Sequence, residues 1–343
     1  MAKSRHKKRR LSIALIIVGI LAIALLVTAL TYYLPVNIGT KVVSVIIKPG
    51  DSFASVAQQI VSNGVVSSKF LLKLPAVIYG VDKKLIPGRY DFTGRNSCHS
   101  VLRKLGKGEF LRIKITIPEG STIWETARLL ADSLELDPNY IVSLNQDSTL
   151  LMALDLPCLE GYLFPETYYF PWGSNAEEAI KQIVAQFHSM TDTIWPDTIA
   201  DSLSKHEVII VASIIEAETN HGDERDLVSS VYHNRLRKDM RLYADPTVIY
   251  GLGGLDRPLY KKDLKKKTPY NTYLFKGLPP TPINSPGMEA IMAALHPAVS
   301  DYMYFVADNS GKHLFSRTNA EHNAARQRIR KEAKLSSAAS AVR

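Results

Sequence analysis

Val208-Ile209-Ile210-Val211-Ala212-Ser213-Ile214-Ile215, followed at once by Glu216-Ala217-Glu218-Thr219-Asn220, is the stretch that decides how the chain folds. Eight apolar or small residues in a row fit either a buried strand or a buried helix. The length from Asp201 to Thr219 and the apolar spacing 208, 211, 212, 215 favour a helix of about five turns. Glu218 lies three, four and seven residues past Ile215, Ile214 and Val211, so it continues the buried stripe, while Glu216 leaves on the neighbouring face. A carboxylate among apolar side chains at the negative, C-terminal end of a helix has its ionised form disfavoured by desolvation and by the macrodipole. Such a group can hold its proton near neutral pH and deliver it, as a general acid must. The structural alternative is that both glutamates solvate a helix end ahead of the polar loop Asn220-His221-Gly222-Asp223.

At 343 residues the chain can hold two or three compact units. The first ten residues carry Lys3, Arg5, Lys7, Lys8, Arg9 and Arg10 without an acid, and no charged residue follows from Leu11 to Thr40. The apolar run from Leu11 to Leu34 exceeds the ~20 residues needed to cross a bilayer core and the 7–15 of a signal-peptide core. A single membrane-spanning helix is expected, with a cleaved signal ending near Val27 and Ala29 as the alternative. Basic residues ahead of the span place the N-terminus in the cytoplasm and the remainder beyond the plasma (inner) membrane, with Tyr32 and Tyr33 at the far interface. The net charge of +9 is largely this tail, since the rest holds 36 of the 42 basic residues against 33 acidic ones. Nucleic acid is therefore not an expected partner, and the cluster Lys261, Lys262, Lys265, Lys266, Lys267 reads as a solvated face or a contact for an anionic envelope polymer. Cys98 and Cys158 could pair outside the cytoplasm, and their spacing is no metal signature.

An internal repeat is visible at an offset of 70. Ile47-Lys48-Pro49-Gly50-Asp51-Ser52-Phe53 with Val56, Ala57 and Ile60 matches Ile117-Pro118-Glu119-Gly120-Ser121-Thr122-Ile123 with Thr126, Ala127 and Leu130. Each copy reads as a strand, a Pro/Gly turn, a Ser/Thr cap and an amphipathic helix. The first continues with an apolar segment near Phe70 to Tyr79 and a short helix at Val101 to Leu105. A strand-turn-helix unit opening on Pro-Gly-Asp-Ser resembles the LysM type of glycan-binding module, with a plain spacer as the alternative. Past Leu159 the composition shifts to Tyr, Asn, Thr and Pro in ordered-looking loops, which suits a carbohydrate groove. A second amphipathic helix is expected from Glu224 to Arg237, another from Met288 to Leu295, then strands at Tyr302 to Val306 and His313 to Phe315.

The chemistry narrows by elimination. Glu218-x-x-His221 has no second copy, His-Glu-x-x-His and Gly-x-Ser-x-Gly are absent, and no phosphate loop is present, so neither a metal nor a cofactor is expected. Glycosyl transfer by acid catalysis remains. Ordinary glycosidases use two carboxylates, and Glu216, Glu166, Asp245 and Glu224 are candidates for the second. Where the substrate supplies the nucleophile, one glutamate suffices.

Ala212-Ser213-Ile214-Ile215-Glu216-Ala217-Glu218-Thr219, Glu224-Arg225-Asp226, Asn234-Arg235-Leu236, Met240-Arg241-Leu242 and Asp245-Pro246-Thr247-Val248-Ile249-Tyr250-Gly251 together resemble the YceG-like endolytic murein transglycosylases. So do Tyr270-Asn271-Thr272-Tyr273, Gly277-Leu278-Pro279-Pro280, Tyr304-Phe305-Val306-Ala307-Asp308 and Glu321-His322-Asn323. Departures from the family pattern are Tyr243 and Ala244 ahead of Asp-Pro-Thr, Thr281 after Pro279-Pro280, and Glu166 in place of an Asp. The resemblance implies an α+β fold: a transmembrane helix at 11–34 behind a cytoplasmic tail at 1–10, and a LysM-like module at 41–110. A second strand-turn-helix repeat or connector would follow at 111–155, then a mixed α+β catalytic domain with a lysozyme-like catalytic helix at 156–332 and a disordered tail at 333–343. It also implies that nascent peptidoglycan strands are cut internally between N-acetylmuramic acid and N-acetylglucosamine, leaving 1,6-anhydro ends and ending elongation beside the cell-wall synthases. The family's catalytic glutamate falls on Glu218. Substrate contacts are expected at Glu166, Asp245, Thr247, Tyr250, Tyr270, Asn271, Thr272, His313 and Glu321. The competing class is a non-catalytic, membrane-tethered glycan binder that positions synthases.

Overall fold

In the computed structural model the chain divides into two compact units, residues 1–113 with 170–173, and residues 114–169 with 174–343. The structure describes residues 2–48 and 50–341, with side chains over 13–48 and 50–333, so Pro49 of the first repeat lies outside the described residues.

The first unit begins with α1 (Ala2–Tyr33), whose window Ile13–Tyr33 is long and apolar enough to cross a membrane, a test that a signal sequence also passes. β1 (Val36–Asn37) precedes β2 (Val43–Ile47), which alternates so that Val43, Val45 and Ile47 turn inward. Ser52 caps α2 (Phe53–Ser62) by accepting the Ser55 N–H, and the helix buries Phe53, Val56, Ala57 and Ile60 as one face. α3 (Lys69–Ile78) is capped by Ser68 in the same way. β3 (Gly88–Phe92) returns antiparallel to β2 with Tyr90 opposite Val45, and β4 (Arg95–Asn96) pairs with β1. α4 (Cys98–Lys107) starts on a Ser97–Ser100 capping box and stops at Gly108, which adopts the left-handed conformation at φ 64°. Tyr90, Phe92, Ile60, Leu72 and Leu105 fill the core between these elements.

β5 (Arg112–Thr116) carries the chain into the second unit, where the second repeat forms its turn and then α5 (Ile123–Leu134), opened by a Thr122–Glu125 capping box. α6 (Pro138–Ser143) and α7 (Ser148–Ala153) follow, each with an aspartate N-cap, then β6 (Thr167–Pro171), paired with β5, and α8 (Ala176–Thr191). The expected connector 111–155 thus supplies elements of the second unit from Lys114 onward.

The apolar run forms α9 (Lys205–Glu218), buried from Val208 to Glu216 and packed between α10 (Arg225–Arg237) and α12 (Met288–Leu295). It starts four residues later than the spacing predicts. Asp201 and Ser202 sit at φ 56°, a conformation that cannot propagate a right-handed helix, and the start is a capping box between Ser204 and Glu207. α11 (Asp245–Gly251) places Pro246 in its first turn, where no N–H is needed. The unit closes with the antiparallel pair β7 (Tyr304–Ala307) and β8 (His313–Ser316) and with α13 (Asn319–Ala341), which runs helically through most of the tail expected to be disordered. Mixed α+β architecture with one apolar N-terminal helix is therefore what the described residues adopt. Cys98 and Cys158 are buried free thiols, and burial pushes that of Cys158 up to about 12.

Candidate active site

The two carboxylates of α9 part company at the helix end. On one face, the Ser213 hydroxyl donates to the Ile210 carbonyl (2.8 Å) and accepts the Ile283 N–H (3.1 Å), while Asn284 donates to the Ser213 carbonyl (2.9 Å). Glu216, one turn further, accepts the Gly287 N–H at 2.9 Å and the Arg225 guanidinium at 3.2 Å. Arg225 also donates to Glu289. Glu216 thus ties the Pro-rich loop to the start of α12; burial raises its pKa, with the loop N–H and Arg225 opposing. Its oxygens are occupied by structure.

Glu218 points the other way, into an open cleft of about 600 Å³ lined by α10, α11, α13, β7 and β8. Its carboxylate accepts the Tyr232 hydroxyl at 2.7 Å. Desolvation pushes its pKa up to about 7; the Tyr232 hydrogen bond and the Arg235 charge oppose this and the Asp245 charge adds to it. Tyr232 and Arg235 lie three residues apart on the buried face of α10. Arg235 donates to the Met303 carbonyl (2.8 Å) and to the Leu242 carbonyl, and its guanidinium lies within 6.0 Å of the ring centres of Tyr232, Tyr243, Tyr304 and Phe305. A cation locked among rings and carbonyls acts as a fixed charge beside the carboxylate.

Three of the sequence-predicted residues meet at this cleft: Glu218, Asp245 and His313. Asp245 accepts the Tyr273 hydroxyl at 2.5 Å. His313 is clamped by Glu224, which accepts its backbone N–H (2.9 Å) and contacts Nδ1 (2.8 Å), so Nε2 is left for the cleft.

The other residues do different things. Thr247 and Thr272 are buried and bond each other (2.9 Å), and Thr272 accepts the Ala244 N–H, so they hold the chain around Asp245 rather than line the cleft. Asn271 is fully buried and donates to the Leu264 and Lys266 carbonyls. Tyr270 bonds Thr281, and its ring lies 4.9 Å from that of Tyr250. Tyr250 donates to Glu160, a fully buried carboxylate that also accepts the Ile123 N–H at the start of α5 and whose pKa burial pushes up to about 7. Gly161 beside it is at φ 88°, with Pro282 where a Cβ would sit, so no other residue fits. Glu166 is exposed and accepts the Thr167 N–H, and Glu321 caps the start of α13 through the Arg317 N–H.

Arg235, Tyr243, Tyr273 and Tyr304, which line the cleft, and the buried Tyr232, which bonds Glu218, carry roles the sequence does not single out. The signal was available for two of them: Val228, Val231, Tyr232 and Arg235 follow the same helical period that marked Glu218, a buried stripe that turns polar. Tyr243 and Tyr273 come together only through the loop pairing between Tyr243 N–H and the Thr272 carbonyl (3.3 Å), which no local pattern encodes.

The model of the YceG-like family matches residues 45–328. An endolytic murein transglycosylase of Bacillus subtilis is 33% identical over 305 residues, covering 83% of this chain and 84% of that relative. Another, of Streptococcus pneumoniae, is 26% identical over 328 residues, covering 84% of this chain and 59% of the relative. The crystal structure of a yceG-like protein of Listeria monocytogenes is 29% identical, covers 84% of this chain and all of its own, and superposes with a TM-score of 0.55. On the family match and the Bacillus relative together, the chain belongs to the YceG-like family.

Proposed function

We propose that this chain is an endolytic peptidoglycan lytic transglycosylase, held at the membrane by α1, with Glu218 as its general acid and base. The observation that carries the reading is the placement of Glu218: at the end of a buried helix, its carboxyl, with a pKa pushed up to about 7 by desolvation, opens onto a cleft that mixes the rings of Tyr243, Tyr273, Tyr304 and Phe305 with the charged groups of Arg235, Arg326 and Asp245. Protonated Glu218 gives its proton to the glycosidic oxygen between N-acetylmuramic acid and N-acetylglucosamine, and the C1–O bond breaks. The resulting carboxylate takes the proton of the muramoyl 6-hydroxyl, whose oxygen bonds to C1 and closes the 1,6-anhydro ring. No water is consumed, and Glu218 ends protonated as it began.

Arg235 and Tyr232 stabilise the carboxylate between the two proton transfers, and desolvation keeps it basic enough to take the second proton. Asp245 stands as the second negative charge, suited to an oxocarbenium-like transition state. His313, oriented by Glu224, offers Nε2 to a substrate hydroxyl. In the first unit, the order β2, α2, α3, β3 supports a LysM-like, glycan-holding role, and α9 would be the counterpart of the catalytic helix of lysozymes. Such a tethered enzyme would end strand growth alongside the synthases.

Digestion of purified uncrosslinked glycan strands by the full chain in detergent, read by mass spectrometry, tests this. Every new muramoyl end is expected to be lighter by one water than a reducing end, with internal fragments of mixed length. Reducing ends would make the protein a hydrolase, and strands bound but left intact would make it a tethered glycan binder.

A further inference from the structure

α3 of the first unit is apolar on two faces and buried on only one. Leu72 and Ala76 enter the core at 0% exposure, but on the opposite side Phe70 (66%), Leu74 (51%), Val77 (56%) and Ile78 (69%) face outward, with Tyr79 (71%) following at the helix end. The spacing 70, 74, 77, 78 is that of a continuous helical stripe. Soluble proteins rarely leave so large a contiguous apolar face uncovered.

This face adjoins the end of the apolar span. α1 and α3 are in contact, and a groove of about 260 Å³ between them runs along α1 from Leu25 to Tyr33. The eight steps from Leu25 to Tyr33 are about 12 Å of rise, so the groove reaches well below the end of a span that closes at Tyr33. Tyr32 packs against the core of the unit, so the last turn of α1 and the body of the unit are one piece. Tyr32, Tyr33, Phe70 and Tyr79 cluster where aromatic side chains settle at a membrane interface. Lys73 is exposed and borders the stripe, with a long stem able to lift its charge to the headgroups, while the Lys69 ammonium donates to Gln58 of α2 (3.2 Å).

We infer that the outward face of α3 is a membrane-interface helix: Phe70, Leu74, Val77 and Ile78 insert into the outer leaflet beside α1, with acyl chains filling the groove. The inference rests on the reading of α1 as a membrane span. It makes the first unit lie on the bilayer rather than hang from it.

The test uses the full chain reconstituted in phosphatidylglycerol–phosphatidylethanolamine vesicles and labelled with an environment-sensitive fluorophore at single introduced cysteines. Cys98 and Cys158 are buried and leave the label to the new site. Labels at Phe70→Cys and Ile78→Cys are expected to emit blue-shifted and to lose most of their emission to a shallow lipid-borne nitroxide but not to aqueous iodide. Leu21→Cys reports the span with a deep nitroxide, and Lys181→Cys reports the aqueous phase. Iodide quenching at 70 and 78 with lipid quenching at 21 would overturn the inference and leave the anchor standing. Protection from both quenchers at 70 and 78 would overturn it in favour of a protein partner or a second copy on this face. Loss of lipid quenching at 21 as well would remove the anchor reading itself.

Discussion

Glu218→Gln is expected to lower the rate of the proposed anhydro-end formation by about 10²–10⁴-fold while strand binding is retained, because the amide keeps the shape and the Tyr232 hydrogen bond but has no proton to give. Single-turnover rates with a co-sedimentation measurement separate the two effects. Glu216→Gln should keep a far larger share of the activity and act mainly through stability, since its oxygens are taken up by Gly287 and Arg225. Equal losses in the two variants would mean that the carboxylates share the chemistry. The same substitution carries a thermodynamic signature. A glutamate whose folded pKa is raised from 4.5 to about 7 makes the native state hold a proton the unfolded state has lost, so stability falls as pH rises through that window. Glu218→Gln is therefore expected to match the parent chain at pH 4 and to exceed it above pH 7.5 by at most about 3 kcal/mol. A catalytic group that costs its fold stability is what a functional carboxylate in a desolvated cleft should be.

Arg235→Ala is the second large effect. It strips the hydrogen-bond donors from the Met303 and Leu242 carbonyls and leaves a hole among four aromatic rings. Unpaired buried carbonyls and lost packing together should cost about 3–5 kcal/mol, read as a lower urea midpoint. Because the Arg235 charge opposes protonation of Glu218, its removal raises the Glu218 pKa further. The alkaline limb of kcat/KM, set by loss of the acid form, must then move to higher pH. Should the alanine variant not fold, Arg235→Lys keeps a charge on a shorter reach and should show the stability loss in part. A limb that stays put or moves down would mean that Arg235 does not act on Glu218.

The local signals that the sequence carried were those with short period. The helix from Met288 to Leu295, the stripe of α9 and the two strand-turn-helix repeats are all set by apolar spacing and caps a few residues apart, and they stand where expected. α9 starts later than apolar length alone predicts because Ser204 and Glu207 set its first turn, and their spacing is itself a capping-box signature. Of the three predicted residues that meet at the candidate site, only Glu218 carries a local signal, where one helix makes a carboxylate the continuation of a buried face; Asp245 and His313 have no such pattern. The surroundings of Glu218 come from α10, the loop at Tyr243, the loop at Tyr273 and the β7–β8 pair, and nothing local tells which of many Tyr, Asn and Thr residues face a cleft. Asn271, Thr272 and Thr247 show the difficulty: polar residues in family motifs, they are spent on backbone groups that burial would otherwise leave unpaired.

The most direct measurement is the titration of Glu218 itself, by ¹³C NMR of the side-chain carboxyl carbon in glutamate-labelled protein, with Glu218→Gln identifying the resonance. A midpoint near 7, moving upward when Arg235 is removed, is the result expected of a carboxyl that keeps its proton for the glycosidic oxygen. A midpoint near 4.5, the value of a glutamate in water, would leave no acid at neutral pH and contradict the account.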